Sequence, residues 1–220
     1  MSERFQNKKF AFIFDMDGVI INNNDWHLRS WLEYAHRIGM ELNAEEFHRK
    51  VFGKTNEQIL SVEFPDASEK QLVAWSLEKE ALYREMYAPD FKLADGLPEF
   101  LEALKSKEIP IAVASNAPLV NVDFALDMGD IRSYFDVIMF AGLVPNPKPA
   151  PDIYLKSAEL LGFLPINCFV VEDSPTGLKA AVAAGCNPIA ITSTFLPEEL
   201  SEYTSFIVDH FNEIRSQLSS

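Results

Sequence analysis

The chain has 220 residues, 48% hydrophobic and 24% charged, an ordinary globular composition long enough to bury a sizeable core. Thirty-three acidic against 19 basic residues give a net charge of −14, which argues against nucleic acid or an anionic membrane as the main partner. It also means that an anionic ligand needs a metal or a local basic group to be held.

In chain order, the first predicted strand is Phe10–Phe14, an apolar run that ends in Asp15-Met16-Asp17-Gly18-Val19-Ile20. Such a run reads as a strand buried in a parallel sheet, and acids at its carboxyl end stand where open α/β folds bind ligands. Two carboxylates one residue apart repel each other. They persist together where a metal neutralises them or where chemistry needs both; an acidic loop with nothing bound is the alternative. Residues 23–90 then show no strand pattern. Leu28, Trp31, Leu32, Ala35 and Ile38 form a helical stripe closed by Gly39, with Trp31 read as core. Capping patterns follow at Asn43 to Glu46, Thr55 to Gln58 and Ser68 to Gln71, and Leu72, Trp75, Leu82 and Met86 fit one long helix. A helical module is therefore expected between the first and second strands, linked through Ile21–Asp25 and about Ala88–Asp95.

After a helix carrying Leu97, Phe100, Leu101 and Leu104, further strands are predicted at Ile109–Ala114, Asp136–Phe140, Cys168–Val171 and Asn187–Ile191, with a weaker one at Ser205–Val208. Tyr154, Leu155, Ala158 and Leu161 are expected on one helix face ending at Gly162. Ser174-Pro175 reads as a helix start, with Leu178, Ala181 and Val182 facing inward and Gly185 ending it. Alternating strands and helices predict a parallel sheet. The two cysteines, Cys168 and Cys186, lie in strand-like surroundings and read as buried free thiols. No secretory signal or membrane span is read, so a cytoplasmic protein is expected, with a monomer as the default.

Three more strand ends carry polar groups. Ser115 and Asn116 follow the second strand, where a hydroxyl and free backbone N–H groups suit an anion; an ordinary capping serine is the alternative. In Asn146-Pro147-Lys148-Pro149-Ala150-Pro151-Asp152, alternate prolines stiffen the chain around Lys148, which is either a fixed charge for a phosphate oxygen or a solvated lysine in a turn. Glu172 and Asp173 precede a helix start, as dipole complements or as part of an oxygen-rich Mg²⁺ site. An EF-hand from Asp15 fails because its glycine position is Ile20. A Walker A loop ending in Gly53-Lys54-Thr55 fails because its first glycine falls on His48, and no Gly-x-Gly-x-x-Gly is present.

Taken jointly and in this order, the four strand ends resemble the haloacid dehalogenase superfamily, and within it the β-phosphoglucomutase-like branch. Asp15-Met16-Asp17-Gly18-Val19 corresponds to the first motif, Ser115-Asn116 to the second, Lys148-Pro149 with Pro151-Asp152 to the third, and Glu172-Asp173-Ser174 to the fourth. The resemblance implies a Rossmann-like α/β core over residues 1–22 and 91–220, with helices on both faces of a parallel sheet. Residues 23–90 would be an inserted helical cap. It implies Asp15 as nucleophile, Asp17 as general acid and base, and Ser115, Asn116 and Lys148 as phosphate-binding. It further implies Mg²⁺ held by Asp15, the backbone carbonyl of Asp17, and Asp173, with Glu172 ordering the metal's waters. A carboxylate at position 17 points to phosphoryl transfer rather than dehalogenation.

The cap departs from the mutase pattern. His27 falls where mutases carry a histidine coupled to cap closure; a helix-start histidine at a hinge is the alternative. In Phe52-Gly53-Lys54-Thr55-Asn56 the mutase branch has a phosphate-gripping arginine where this chain has Asn56, and the phosphonatase branch has a Schiff-base lysine in the same loop; Lys54 lies one residue past the glycine. The expectation is a Mg²⁺-dependent phosphatase of a small phosphorylated metabolite, a sugar or polyol phosphate. A phosphosugar mutase is the alternative, and a non-catalytic metabolite-binding protein a third reading.

Overall fold

The computed structural model describes residues 9–51 and 54–219. Contacts divide the chain into two compact units, one ending at Asn22 and resuming at Lys92, the other Asn23–Phe91.

The first unit is built on a six-stranded sheet of β1 (Ala11–Phe14), β2 (Ile111–Ala114), β3 (Val137–Met139), β4 (Cys168–Glu172), β5 (Asn187–Ile191) and β6 (Ile207–Val208). All pairs are parallel and the order is β3-β2-β1-β4-β5-β6. The parallel sheet is the one predicted: β1, β2 and β3 are one or two residues shorter, β4 runs one residue further to Glu172, and β5 has the predicted bounds. The edge strand β6 keeps only two of its four predicted positions. β1 is central and wholly buried, as a continuous Ala-Phe-Ile-Phe run requires. Chain order reverses between β1 and β4, so the crevice at their carboxyl ends is the switch point at which open α/β sheets bind ligands.

The second unit contains α1 (Asn24–Ile38), α2 (Ala44–Lys50), α3 (Asn56–Glu63) and α4 (Glu69–Tyr87). Trp31, Ala35, Met40, Phe47, Val51, Ile59 and Leu60 form its core. The three predicted caps are made: Asn43, Thr55 and Ser68 accept from the backbones of Glu46, Gln58 and Gln71, and Thr55–Gln58 closes the full reciprocal box. The long helix α4 forms as expected, and its buried residues include two charged ones, Lys79 and Glu80.

The first unit continues with α5 (Leu97–Ser106), α6 (Leu119–Met128), α7 (Asp152–Leu161), α8 (Pro175–Ala183), α9 (Pro197–Leu200) and α10 (Phe211–Ser219). Side-chain alternation along β1 assigns helices to both faces. Ala11 and Ile13 pack with Tyr154 and Ala158 of α7 and Ala180 and Ala181 of α8. Phe12 and Phe14 meet Phe100 of α5, and Phe14 and Phe100 meet Phe211 of α10, with ring centroids 5.3–6.0 Å apart. Two predicted stripes shift by a residue. α7 buries Ile153, Tyr154, Ser157 and Ala158 while Leu155 is exposed, and α8 buries Gly177, Leu178, Ala180 and Ala181 while Val182 is exposed. The buried faces include Ser157 and Gly177, which carry no hydrophobic signal, so hydrophobicity alone places each stripe one position off.

Just before the chain leaves this unit, Ile21 pairs with both Asp17 and Leu93, and Ala94 N–H donates to the Ile20 carbonyl. The outgoing and returning segments thus run side by side. Cys168 and Cys186 are buried and unbridged. Among the described residues, no helix is long and apolar enough to cross a membrane.

Candidate active site

β1 and β4 are neighbours in register, Phe14 opposite Val171, so the residues that follow each strand emerge at the same edge. Asp15 N–H still donates to the Val171 carbonyl, which carries the ladder one step beyond β1 and aims Asp15 at the end of β4. Asp15, Glu172 and Asp173 there each offer a carboxylate oxygen within 4.8 Å of the others. All three are buried.

Lys148 enters from the proline-stiffened segment. Its ammonium donates to Asp15 Oδ1 at 2.6 Å, Glu172 Oε1 at 2.8 Å and the Ala114 carbonyl at 2.8 Å, matching its three N–H donors. Pro149, in cis linkage, Ala150 and Pro151 follow at once and lead into α7. Asn116 clamps the segment: its Oδ1 accepts from Lys148 N–H at 3.0 Å and its Nδ2 donates to the Lys148 carbonyl at 3.3 Å. The Asn116 amide is therefore engaged with backbone. Ser115 is buried at the end of β2, and its hydroxyl accepts from Ala117 N–H.

Burial dominates the electrostatics. It pushes Asp15 up to about 7 from an ordinary 3.8, with Glu172 and Asp17 adding to the rise and Lys148 opposing it. Asp173 is raised well above the usual carboxylate range by burial and by Glu172, Asp15 and Asp17, against the hydrogen bond from Thr194. Lys148 is raised because Asp15 and Glu172 outweigh its own desolvation. Three buried carboxylates thus face one ammonium, a hard-oxygen donor set short of positive charge.

Asp17 is half-buried in the turn after β1, its charge felt by Asp15 and Asp173, and it stands outside the three-carboxylate group. Gly18 belongs to the same turn with φ +76°, where a Cβ would overlap the Asp173 carboxylate and the Thr194 hydroxyl. Glycine is thereby required for backbone conformation and for room together.

The other sequence candidates lie in the helical unit. His27 stacks on Tyr83 with ring centroids 4.0 Å apart and planes 7° from parallel, and its Nδ1 lies 3.0 Å from Lys79 Nζ. Lys79 pairs with Glu80 at 2.9 Å, both buried. Asn56 donates to the same Glu80 oxygen at 2.6 Å. Lys54 is exposed, and its ammonium donates to the Lys50 carbonyl at 3.0 Å. Phe52 and Gly53 lie outside the described residues.

Sequence reasoning missed several partners. Tyr154 donates to Glu172 Oε1 at 2.5 Å, Thr194 donates to Asp173, Ser193 donates to the Gly18 carbonyl at 2.5 Å, and Lys79 and Glu80 join His27 to Asn56. Tyr154 was visible only as one residue of an apolar stripe. Ser193 and Thr194 follow β5, and the rule that strand carboxyl ends carry polar groups would have found them.

The chain belongs to the haloacid dehalogenase-like hydrolase family, whose model matches residues 12–191. It is an enzyme of that family. It is 33% identical over 184 residues to a phosphorylated carbohydrates phosphatase of Thermotoga maritima, covering 81% of this chain and 83% of that protein. Among solved structures it is similar to a haloacid dehalogenase hydrolase of family IA, variant 3, from Entamoeba histolytica (34% identity, TM-score 0.86, 96% of this chain and 98% of that one). It is also similar to a β-phosphoglucomutase from Clostridium difficile (27% identity, TM-score 0.81, 96% and 98%).

Proposed function

We propose that the protein is a Mg²⁺-dependent phosphatase of small phosphorylated metabolites, hexose or polyol monophosphates, acting through an aspartyl-phosphate. The observation that carries this reading is the convergence of Asp15, Lys148, Glu172 and Asp173 at the switch point between β1 and β4. The named activity of the Thermotoga maritima relative supports it.

Asp15 attacks phosphorus and the leaving oxygen departs with a proton from Asp17. Asp17 then takes a proton from the water that hydrolyses the acyl phosphate, which restores Asp15. Lys148 and Ser115 hold the oxygens of the moving phosphoryl group. Asn116 acts one step back, by fixing the backbone of Lys148. Asp15, Asp173 and the backbone carbonyl of Asp17 would hold the Mg²⁺, with Glu172 beside them. The raised Asp15 and Asp173 carboxyls fit that assignment, since burial opposes their ionisation and nearby positive charge favours it. When bound, the ion supplies that charge and offsets repulsion between the acids and an anionic substrate. Residues 23–91 serve as the cap that selects the substrate, and His27, Lys54 and Asn56 are its candidate contacts.

The likeness to a β-phosphoglucomutase favours a second reading, a phosphosugar mutase. A mutase retains a bisphosphate and needs a cation for the second phosphate. At position 56 this chain instead has an asparagine donating to the buried Glu80, which favours hydrolysis.

The test is a phosphate-release screen over a panel of phosphomonoesters with Mg²⁺. Release from hexose or hexitol phosphates, abolished by Asp15→Asn, is expected. No release across the panel, or release indifferent to Asp15→Asn, overturns the proposal. Fast conversion of glucose 1-phosphate with a trace of the 1,6-bisphosphate to glucose 6-phosphate, with little free phosphate, replaces it by the mutase reading.

A further inference from the structure

Tyr154 is the third residue of α7 and is buried among Ile13, Ala112, Ala114 and Val170 beneath the sheet. Phenylalanine would fill that space, so the hydroxyl is the feature that calls for an explanation. It donates to Glu172 Oε1 at 2.5 Å, the oxygen that also accepts from Lys148 at 2.8 Å. The Tyr154 ring lies 4.8 Å from the Lys148 ammonium. One side chain therefore meets both members of the Glu172–Lys148 pair, one through its hydroxyl and the other through its π face.

The remaining Glu172 oxygen is fully engaged. Oε2 accepts from Ser174 Oγ at 3.1 Å, Asp173 N–H at 3.2 Å and Ser174 N–H at 3.4 Å. Glu172 is 1% exposed and receives five protein donors in all, counting Tyr154 and Lys148 on Oε1. Its carboxylate is oriented entirely by protein. Oε2 is pinned to the start of α8, and Oε1 is pinned between Tyr154 and Lys148.

We propose that Tyr154 is a positioning residue, acting through Glu172 to hold the Lys148 ammonium against Asp15. This rests on the phosphatase reading of the site. With the hydroxyl present, Glu172 Oε1 stays in the plane that offers Lys148 its second acceptor, and the third N–H is left for Ala114. Without it, Oε1 keeps a single donor and Glu172 turns about its remaining contacts, so Lys148 loses its fixed place.

The test compares wild type, Tyr154→Phe and Tyr154→Leu, with thermal melting as the check on folding. Tyr154→Phe keeps the ring and the volume, so it is the variant that decides. Two readouts are taken. One is the rate at which the Lys148 side-chain ammonium exchanges with water, followed by ¹H–¹⁵N NMR and assigned by its loss in Lys148→Met. The other is kcat and KM for phosphate release with Mg²⁺. For Tyr154→Phe, exchange about tenfold faster and kcat about tenfold lower, with KM within about twofold, is the expected result, the size of one hydrogen bond to a charged group. Tyr154→Leu is expected to exceed both changes. Unchanged ammonium exchange in Tyr154→Phe overturns the proposal whatever turnover does. Faster exchange with unchanged kcat also overturns it, since holding Lys148 in place would then have no bearing on turnover. If wild type releases no phosphate from any phosphomonoester, the reading of the site has failed, while the exchange measurement still decides whether Tyr154 holds Lys148.

Discussion

Lys148 is the residue on which the buried charges balance. Its ammonium offsets Asp15 and Glu172 at 2.6 and 2.8 Å, and no other ammonium or guanidinium among the described residues pairs with either. Replacing it by methionine removes the charge that holds Asp15 down and leaves Glu172 without its cation in a dry site. We expect Lys148→Met to destabilise the protein by about 3–5 kcal/mol at pH 7 in denaturant titration. The deficit should grow as pH rises through about 7, where Asp15 gives up its proton and Lys148 is there to favour the anion in wild type alone; a deficit independent of pH would contradict this account. Asp15 has its own pH signature. Its folded value of about 7 lies above the ordinary 3.8, so between those limits the native state holds a proton that the unfolded chain releases. Stability therefore falls as pH rises through that window, by at most about 1.4 kcal/mol per pH unit from this group. In the presence of a chelator, Asp15→Asn should melt increasingly above wild type between about pH 4 and 7, and a gap that narrows would refute the sign. These residues were legible one by one, as acids and a lysine after apolar runs. Their charge balance was not, because it depends on neighbours brought together from positions 15, 148 and 172.

At the scale of elements, the strands were readable because β1, β2 and β4 are buried on both faces and leave continuous apolar runs. Helix faces were read less well. α7 and α8 bury faces one residue ahead of the predicted stripes and expose Leu155 and Val182, and α4 buries Lys79 and Glu80. Burial of a charged residue follows from a partner on another helix, as His27 on α1 is to Lys79, and periodicity does not encode it. The start of α8 makes a prediction. Gly177 donates its N–H to Ser174 Oγ, and a Cβ there would overlap the Glu172 carboxylate. Gly177→Ala should therefore displace Glu172 and lower turnover at least about tenfold, whereas Ser174→Ala, which removes the cap and one of five donors to Glu172, should cost about 1 kcal/mol of stability. Equal turnover in Gly177→Ala and wild type would mean that Glu172 has slack the geometry does not display. Within α5, Leu101 is fully buried, and Leu101→Ala is expected to cost about 2–5 kcal/mol with KM unaltered.

For the whole molecule, the net charge of −14 and the three-carboxylate cluster act in the same direction. Adding millimolar Mg²⁺ at pH 7 should raise the melting temperature of wild type, and more than an equal ionic strength of NaCl does, because salt screens surface charge and leaves buried charge nearly untouched. Asp173→Asn should remove the difference between the two salts; a Mg²⁺ effect that survives this change would place the ion elsewhere. The fold class was open to sequence reading as a whole, since strand patterns alternate with helix patterns through the second half of the chain. The strand rhythm breaks over residues 23–90, a negative signal that says little about the interior of the unit Asn23–Phe91. The double pairing of Ile21, to Asp17 and to Leu93, carries one last implication. Departure and return occur at a single gatepost, so a turn of a few residues joining Asn22 to Lys92 would complete the circuit of the sheet without re-routing any strand.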